Sequence, residues 1–292
     1  MPRQSALQRA KFEIADFFES QDAQVFSRAE LGEILASNRK EWGLSPSMTF
    51  SRFNTFLIEE LGFRLETCSF PSRNYTKFTF GEVPTFDFLL SLIPNSYLSH
   101  HTALFLHKLS DKIPDKVYLN VPQERKLRKN SSLDQGLIDR AFRGSVRISK
   151  NSAAFRGKEV LLLNSMGRGD LGIIESEGPD DSMIRITDME RTLIDITVRP
   201  VYSGGISNVL AAYTKAKGIV SISKLAETLK ALDFAYPYHQ SIGFCLERAG
   251  YEASETDVLR DFPIRYDFYL DYQMTETEYS QVWRLYFPKG LE

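Results

Sequence analysis

The sequence is short of the side chains that most often do chemistry. It holds four histidines and two cysteines in 292 residues. Cys68 and Cys245 stand far apart and form no metal-type pair, which points to a reducing compartment and excludes a disulfide framework. Of His100, His101, His107 and His239, only His100 and His107 could share a helix face, and two ligands alone make a poor metal site, so none is expected. Neither a G-x-x-x-x-G-K-[ST] loop nor a G-x-S-x-G elbow occurs, which removes a P-loop and the commonest serine-nucleophile arrangement. No apolar run reaches eighteen residues, and MPRQSALQRAKFEIADFFES lacks the apolar stretch of a signal peptide. A cytoplasmic protein with no membrane partner is expected.

What is present suits a globular chain with a substantial core. Apolar residues make up 42% and charged residues 25%, with 21 Phe and 13 Tyr. The length suggests one large domain or two. Net charge is −2 but uneven. From Lys108 to Asp170 there are fourteen Lys/Arg against seven Asp/Glu, whereas from Tyr251 onward nine acids face four bases. A basic middle can meet phosphate or an acidic protein face, or simply solvate a surface.

Residues 1–82 carry the pattern of a winged helix-turn-helix. A helix opens near Ser5. In VFSRAELGEILASNRKEW, Ser27 and Glu30 are spaced as a capping box. In LSPSMTFSRFNTFLIEELGF, Ser45 and Pro46 suit a helix start and Gly62 a left-handed stop. Phe50, Phe53, Leu57 and Leu61 mark its apolar face, and Ser51, Arg52, Thr55 and Glu59 the opposite one. FRLETCSF and TKFTF around PSRNY read as a hairpin. In such a module the second helix of the turn enters the major groove. The candidate DNA contacts are therefore Ser51, Arg52 and Thr55 on that helix, with Arg73, Asn74 and Lys77 on the hairpin tip. The module carries ten bases and eleven acids, so a role as a protein dock is the alternative.

Residues 83–292 read as a larger α+β domain. Helices are expected on either side of Pro94, over LDQGLIDRAFRG, ISNVLAAYTKAK, ISKLAETLKAL and HQSIGFCLERAGY. Strands are expected at KVYLNVP, SVRIS, KEVLLLN, LGIIES, FPIRYDFYLDYQ and RLYFP, and QERKLRKNSS reads as a charged loop. GRGDLG, Gly167 to Gly172, matches G-x-G-x-x-G in form, but nothing helical follows it, so a glycine-rich turn is favoured over a dinucleotide site. RITDMERTLIDI gathers Asp188, Glu190, Arg191 and Asp195. Thr187 as N-cap with Glu190 three residues on makes a second capping box, and Arg191 and Asp195 can pair at i, i+4. The cluster therefore reads as structural, and no catalytic residue, cofactor or metal is assigned.

Three stretches together, YLSHHTALFLHKLSDKIPDKVYL, RITDMERTLIDITVRPVYSGGISNVLAAY and YPYHQSIGFCLERAGY, resemble the AbiEi-type antitoxins of bacterial abortive-infection toxin–antitoxin systems. The resemblance spans roughly residues 85–255, and its matching elements are Ser99 to Leu104 and Glu190 to Asp195. It implies a non-enzymatic antitoxin for antiviral defence. Its winged helix would bind inverted repeats of double-stranded DNA in its own promoter and repress transcription. Its second domain would counteract a nucleotidyltransferase-like toxin without a stable complex. This chain departs from the pattern in its longer acidic C-terminal segment and its near-neutral N-terminal module. The alternatives are a defence-system interaction protein that uses the winged helix as a protein dock, and a cryptic enzymatic activity in the C-terminal domain.

Overall fold

In this computed structural model, which describes residues 5–123, 133–165 and 169–291, the fold is mixed α+β. The chain divides into two compact units, Met1–Pro94 and Asn95–Glu292. The charged stretch QERKLRKNSS lies mostly outside the described residues.

Unit 1 runs α1 (Ala6–Arg9), α2 (Lys11–Glu19), β1 (Val25–Phe26), α3 (Arg28–Asn38), α4 (Phe50–Leu61), β2 (Arg64–Ser69), β3 (Asn74–Thr79) and α5 (Thr85–Ser91). The sequence pattern of one opening helix is realised as two, parted at Ala10. The capping box forms as its spacing predicts: Ser27 Oγ accepts from Glu30 N, while a Glu30 carboxylate oxygen accepts from Ser27 N at 2.5 Å. The expected start at Ser45 and Pro46 does not form. Arg39 Nη1 donates to the carbonyls of Ser45, Pro46 and Met48, which holds that stretch out of helix. Thr49 caps α4 instead, its hydroxyl accepting from Arg52 N, and Gly62 ends the helix at φ 74°. Such a φ suits glycine, which has no Cβ to clash.

β1, β3 and β2 form a three-stranded antiparallel sheet in that order. The core beneath is aromatic. Phe18 meets Phe17, Phe26 and Phe63 edge-on, and Trp42 stacks on Phe53 with centroids 5.8 Å apart. Such contacts add specificity to area burial.

Unit 2 is built on a six-stranded mixed sheet, order β6-β7-β5-β4-β9-β8, from Ser152–Phe155, Lys158–Asn164, Lys116–Val121, Tyr97–Leu98, Met183–Thr187 and Ile173–Glu177. The SVRIS stretch is irregular. Strand β6 begins just beyond it and turns into β7 through Arg156 and Gly157, both at positive φ. The expected long C-terminal strand shrinks to β10 (Phe268–Tyr269), which joins β11 (Thr277–Ser280) and β12 (Leu285–Pro288) in a small second sheet.

Helices α6 (His100–Leu106), α7 (Gln135–Arg143), α8 (Met189–Val198), α9 (Ile206–Ala216), α10 (Ile222–Leu232), α11 (Tyr238–Arg248) and α12 (Ala253–Arg260) complete the unit. α8 is its hub, with every residue from Glu190 to Thr197 buried. A surface helix buries one stripe; a helix buried all round belongs to a core. Among the described residues no helix is long and apolar enough to cross a membrane.

Candidate functional site

The exposed face of α4 carries three of the candidate contacts. Ser51, Arg52 and Thr55 are all exposed, at spacings that put them on one side of the helix. The Phe53, Phe56 and Leu57 side is buried in the core of unit 1, which fixes the orientation of the polar side. The Arg52 guanidinium makes no hydrogen bond or ion pair among the described residues, whereas Lys11 and Glu60 tie α2 to α4 at 2.8 Å. Arg28, at the start of α3, lies 5.0 Å from the ring centre of Phe50 and adds a positive charge beside the start of α4. Sequence reading missed it, because its partner is 22 positions away.

The hairpin candidates do not converge on the tip. Phe70 and Arg73 exchange backbone hydrogen bonds and close the turn over Pro71 and Ser72, so strand pairing starts at Ser69 with Asn74. Arg73 is in the turn, its guanidinium 5.2 Å from the Tyr75 ring centre, and Asn74 is exposed at the first position of β3. Lys77 is three residues further in, opposite Glu66 and half-buried. It is not a tip residue. Its charge acts on Glu30, whose carboxyl is held below its ordinary range chiefly by the Ser27 hydroxyl.

In unit 2 the RITDMERTLIDI stretch is the chemically dense one. Asp188, not Thr187, caps α8: its carboxylate accepts from Arg191 N at 2.7 Å. Thr187 instead shares a hydroxyl–hydroxyl bond with Thr192. The expected box does not close, because Glu190 reaches across to α10, accepting from Ser221 N and Lys224 Nζ. Lys224 also contacts Asp188 at 2.9 Å. The Arg191–Asp195 pair is present at 2.8 Å with both side chains nearly enclosed, and Arg191 Nη1 donates to Leu171 O. The other carboxylate oxygen, Asp195 Oδ2, is buried and accepts from no described donor.

Above this pair lies a cavity of about 290 Å³. Tyr97 and Asn120 are paired across β4 and β5, and Asn120 and Leu163 across β5 and β7, so the three form one row of its floor. Asn120 and Leu163 sit at the carboxyl ends of two parallel strands, where ligands collect in open α/β sheets. His100 and Tyr202 pack edge-on at one wall, centroids 5.2 Å apart. Burial holds His100 down at about 4, with nearby Arg191 and Arg199 opposing the pull of Asp195, so the ring is neutral. Burial likewise pushes the Tyr97 phenol up to about 12. His107, far from this cavity along the helix, bonds Thr187 O instead.

Two other candidates resolve as structure. His239 stacks on Phe262, centroids 5.2 Å apart. In GRGDLG, Gly167 and Arg168 lie outside the described residues, and Gly172 leads into strand β8 rather than a helix. A Cβ on Gly172 would stand 2.7 Å from the Arg191 Cβ, so the close approach to α8 requires glycine there. Among the described residues no group of three or more His, Cys, Asp or Glu could hold a metal ion.

No protein-family model matches the chain, and no curated protein matches it. It is similar in structure to the RV2827C protein from Mycobacterium tuberculosis, known from a crystal structure. The TM-score is 0.57, over 97% of this chain and 91% of that one, at 13% identity. At that identity the likeness shows a shared fold and nothing further.

Proposed function

We propose that this chain is the antitoxin of a bacterial abortive-infection system and a DNA-binding repressor of its own promoter. In this reading unit 1 is a winged helix-turn-helix, α3 and α4 are the turn's two helices, and β2–β3 is the wing. The observation that carries it is the exposed face of α4, where Ser51, the uncommitted Arg52 and Thr55 stand beside Arg28. A helix that presents free polar side chains, after a helix and a turn and before a hairpin, suits insertion into a major groove. Arg73 and Asn74 would meet the DNA backbone. The antitoxin half of the proposal rests on the resemblance of residues 85–255. In this reading the protein is cytoplasmic and non-enzymatic and opposes a nucleotidyltransferase-like toxin without a stable complex.

The test is a gel shift of the full chain on its own upstream inverted repeat at several salt concentrations. Arg52→Ala is expected to weaken binding about tenfold, from the ~1–3 kcal/mol carried by one specific contact, and wild-type binding is expected to fall steeply with salt. Affinity unchanged by Arg52→Ala would remove α4 as the reading helix. The near balance of charge in residues 1–82 favours a second reading, a protein dock. That reading gains if no DNA is bound and the neighbour-encoded protein co-purifies.

A further inference from the structure

The cavity over α8 has a charge imbalance that the fold itself does not resolve. Three guanidiniums line it, those of Arg147, Arg191 and Arg199, against the single carboxylate of Asp195. Asp195 is committed to Arg191 at 2.8 Å. Arg199 is half-buried at the end of α8, donating to the Tyr272 hydroxyl at 2.9 Å, with no acidic partner among the described residues. Arg147 is exposed on the irregular stretch before β6 and makes no hydrogen bond or ion pair among them. Two arginines thus line one concavity with no acidic partner among the described residues, although the Arg199 guanidinium also lies 5.8 Å from the Tyr272 ring centre.

The remaining walls are those of a binding site rather than a packing fault. Asn120 and Ser165, at the carboxyl ends of β5 and β7, line the cavity together with the aromatic rings of His100 and Tyr202; Asn120 Nδ2 donates to Ser99 Oγ and Ser165 Oγ accepts from Gln123 N. Tyr202 is fixed in place, its hydroxyl accepting from Ser149 N at 2.9 Å. An aromatic wall with a few convergent polar groups is the usual make-up of a small-molecule pocket, and about 290 Å³ lies at the small end of such pockets.

We propose that this cavity binds a small phosphorylated molecule of the size of a sugar phosphate or mononucleotide. Arg147 and Arg199 grip the phosphate, and the ring and amide groups meet the rest. A phosphate monoester near neutral pH carries close to two negative charges, which matches the two unpaired guanidiniums; malonate carries a similar charge but splits it over two planar carboxylates and lacks the three acceptor oxygens clustered on one atom. Guanidinium forks also match phosphate oxygens in geometry. The site is independent of DNA reading by unit 1.

The experiment is calorimetric titration of the full chain with ribose 5-phosphate, AMP, inorganic phosphate and, as a carboxylate control, malonate. At least one phosphate ester should saturate at one per chain and bind more tightly than malonate. Arg147→Gln and Arg199→Gln should each weaken it about tenfold, the scale of one charge-assisted hydrogen bond, with circular dichroism unchanged. Four results would overturn the proposal. They are no saturation by any phosphate at 1 mM (about the weakest affinity worth defending), affinity unchanged in both variants, malonate as the tighter ligand, and displacement of the ester by a short DNA duplex. The last would assign these guanidiniums to the nucleic-acid backbone.

Discussion

Replacing Arg191 by Met tests whether the charges of α8 are structural. The guanidinium is 2.8 Å from Asp195 Oδ1 and 2.8 Å from Leu171 O, and the two charged side chains are only 7% and 9% exposed. Methionine keeps most of the apolar stem, so the cavity left is small and the loss is mainly electrostatic. Stranding one member of a buried pair costs about 3–5 kcal/mol. With the lost bond to Leu171 O, the net expectation is about 4 kcal/mol. The assay is urea unfolding followed by Trp283, which is fully buried in unit 2. A Trp42→Phe background silences the tryptophan of unit 1, the only other one in the sequence. At a slope of about 2 kcal/mol/M the midpoint should fall by about 2 M. Adding Asp195→Asn to Arg191→Met should recover about half of that, because it removes the stranded charge. A single-variant loss below about 1 kcal/mol, or a double variant worse than the single one, would refute the argument.

Unit 1 offers a test of its helix starts: Ser27→Ala and Thr49→Ala should each cost about 1 kcal/mol, read on Trp42, while Ser45→Ala should change stability by less than about 0.5 kcal/mol. Equal costs at Ser45 and Thr49 would contradict the observed start of α4. Acidification should weaken unit 2 before the carboxylates titrate. Burial holds His100 and His239 at about 4, below their ordinary 6.5, so the unfolded chain takes up more protons between those values. Stability is then full above pH 6.5 and falls as pH drops through the window, by up to about 1.4 kcal/mol per pH unit for each ring. Burial also lowers His101, so His100→Gln should remove roughly a third to a half of that slope; a midpoint that stays flat from pH 6.5 to 5 would show the rings to be solvated.

Part of the local chemistry was legible in the sequence where both partners sat within one helical turn, although the Thr187–Glu190 box, just as short in span, does not form. The Ser27–Glu30 box and the Gly62 stop are of this kind, as is the Arg191–Asp195 pair. The misses have longer-range causes. Pro46 has a good helix-starting sequence, yet Arg39 draws three carbonyls of that segment to itself from the preceding helix. Lys77 belongs by sequence to the strand-like TKFTF, an alternation that a place at the tip overlooks, and pairing that starts at Ser69–Asn74 places it well inside the strand. The SVRIS alternation imitates a strand, and the hairpin that forms needs the left-handed Arg156–Gly157 pair beyond it. The cavity draws on residues from Tyr97 to Phe234, so no window of sequence contains it.

Stretch 185–196 shows how one set of side chains can serve a helix start and still be more than a start. Asp188 takes the cap that Thr187 was placed to provide, and Glu190 is left to reach beyond its own helix. Its carboxylate binds the N-terminus of α10 through Ser221 N and, with Asp188, holds Lys224. Burial alone would raise the Glu190 carboxyl, yet Lys224 and the Ser221 amide together hold it below its ordinary range. The charge at the start of α8 therefore clamps two helices. Further along the helix the pattern inverts: Arg191 is fully used by Asp195 and Leu171, while Arg199 and the buried second oxygen of Asp195 keep unspent capacity. A structural reading accounts for the first half of the helix completely. It leaves the second half with charges whose partners the fold does not supply, which is the condition expected of a surface built for a ligand.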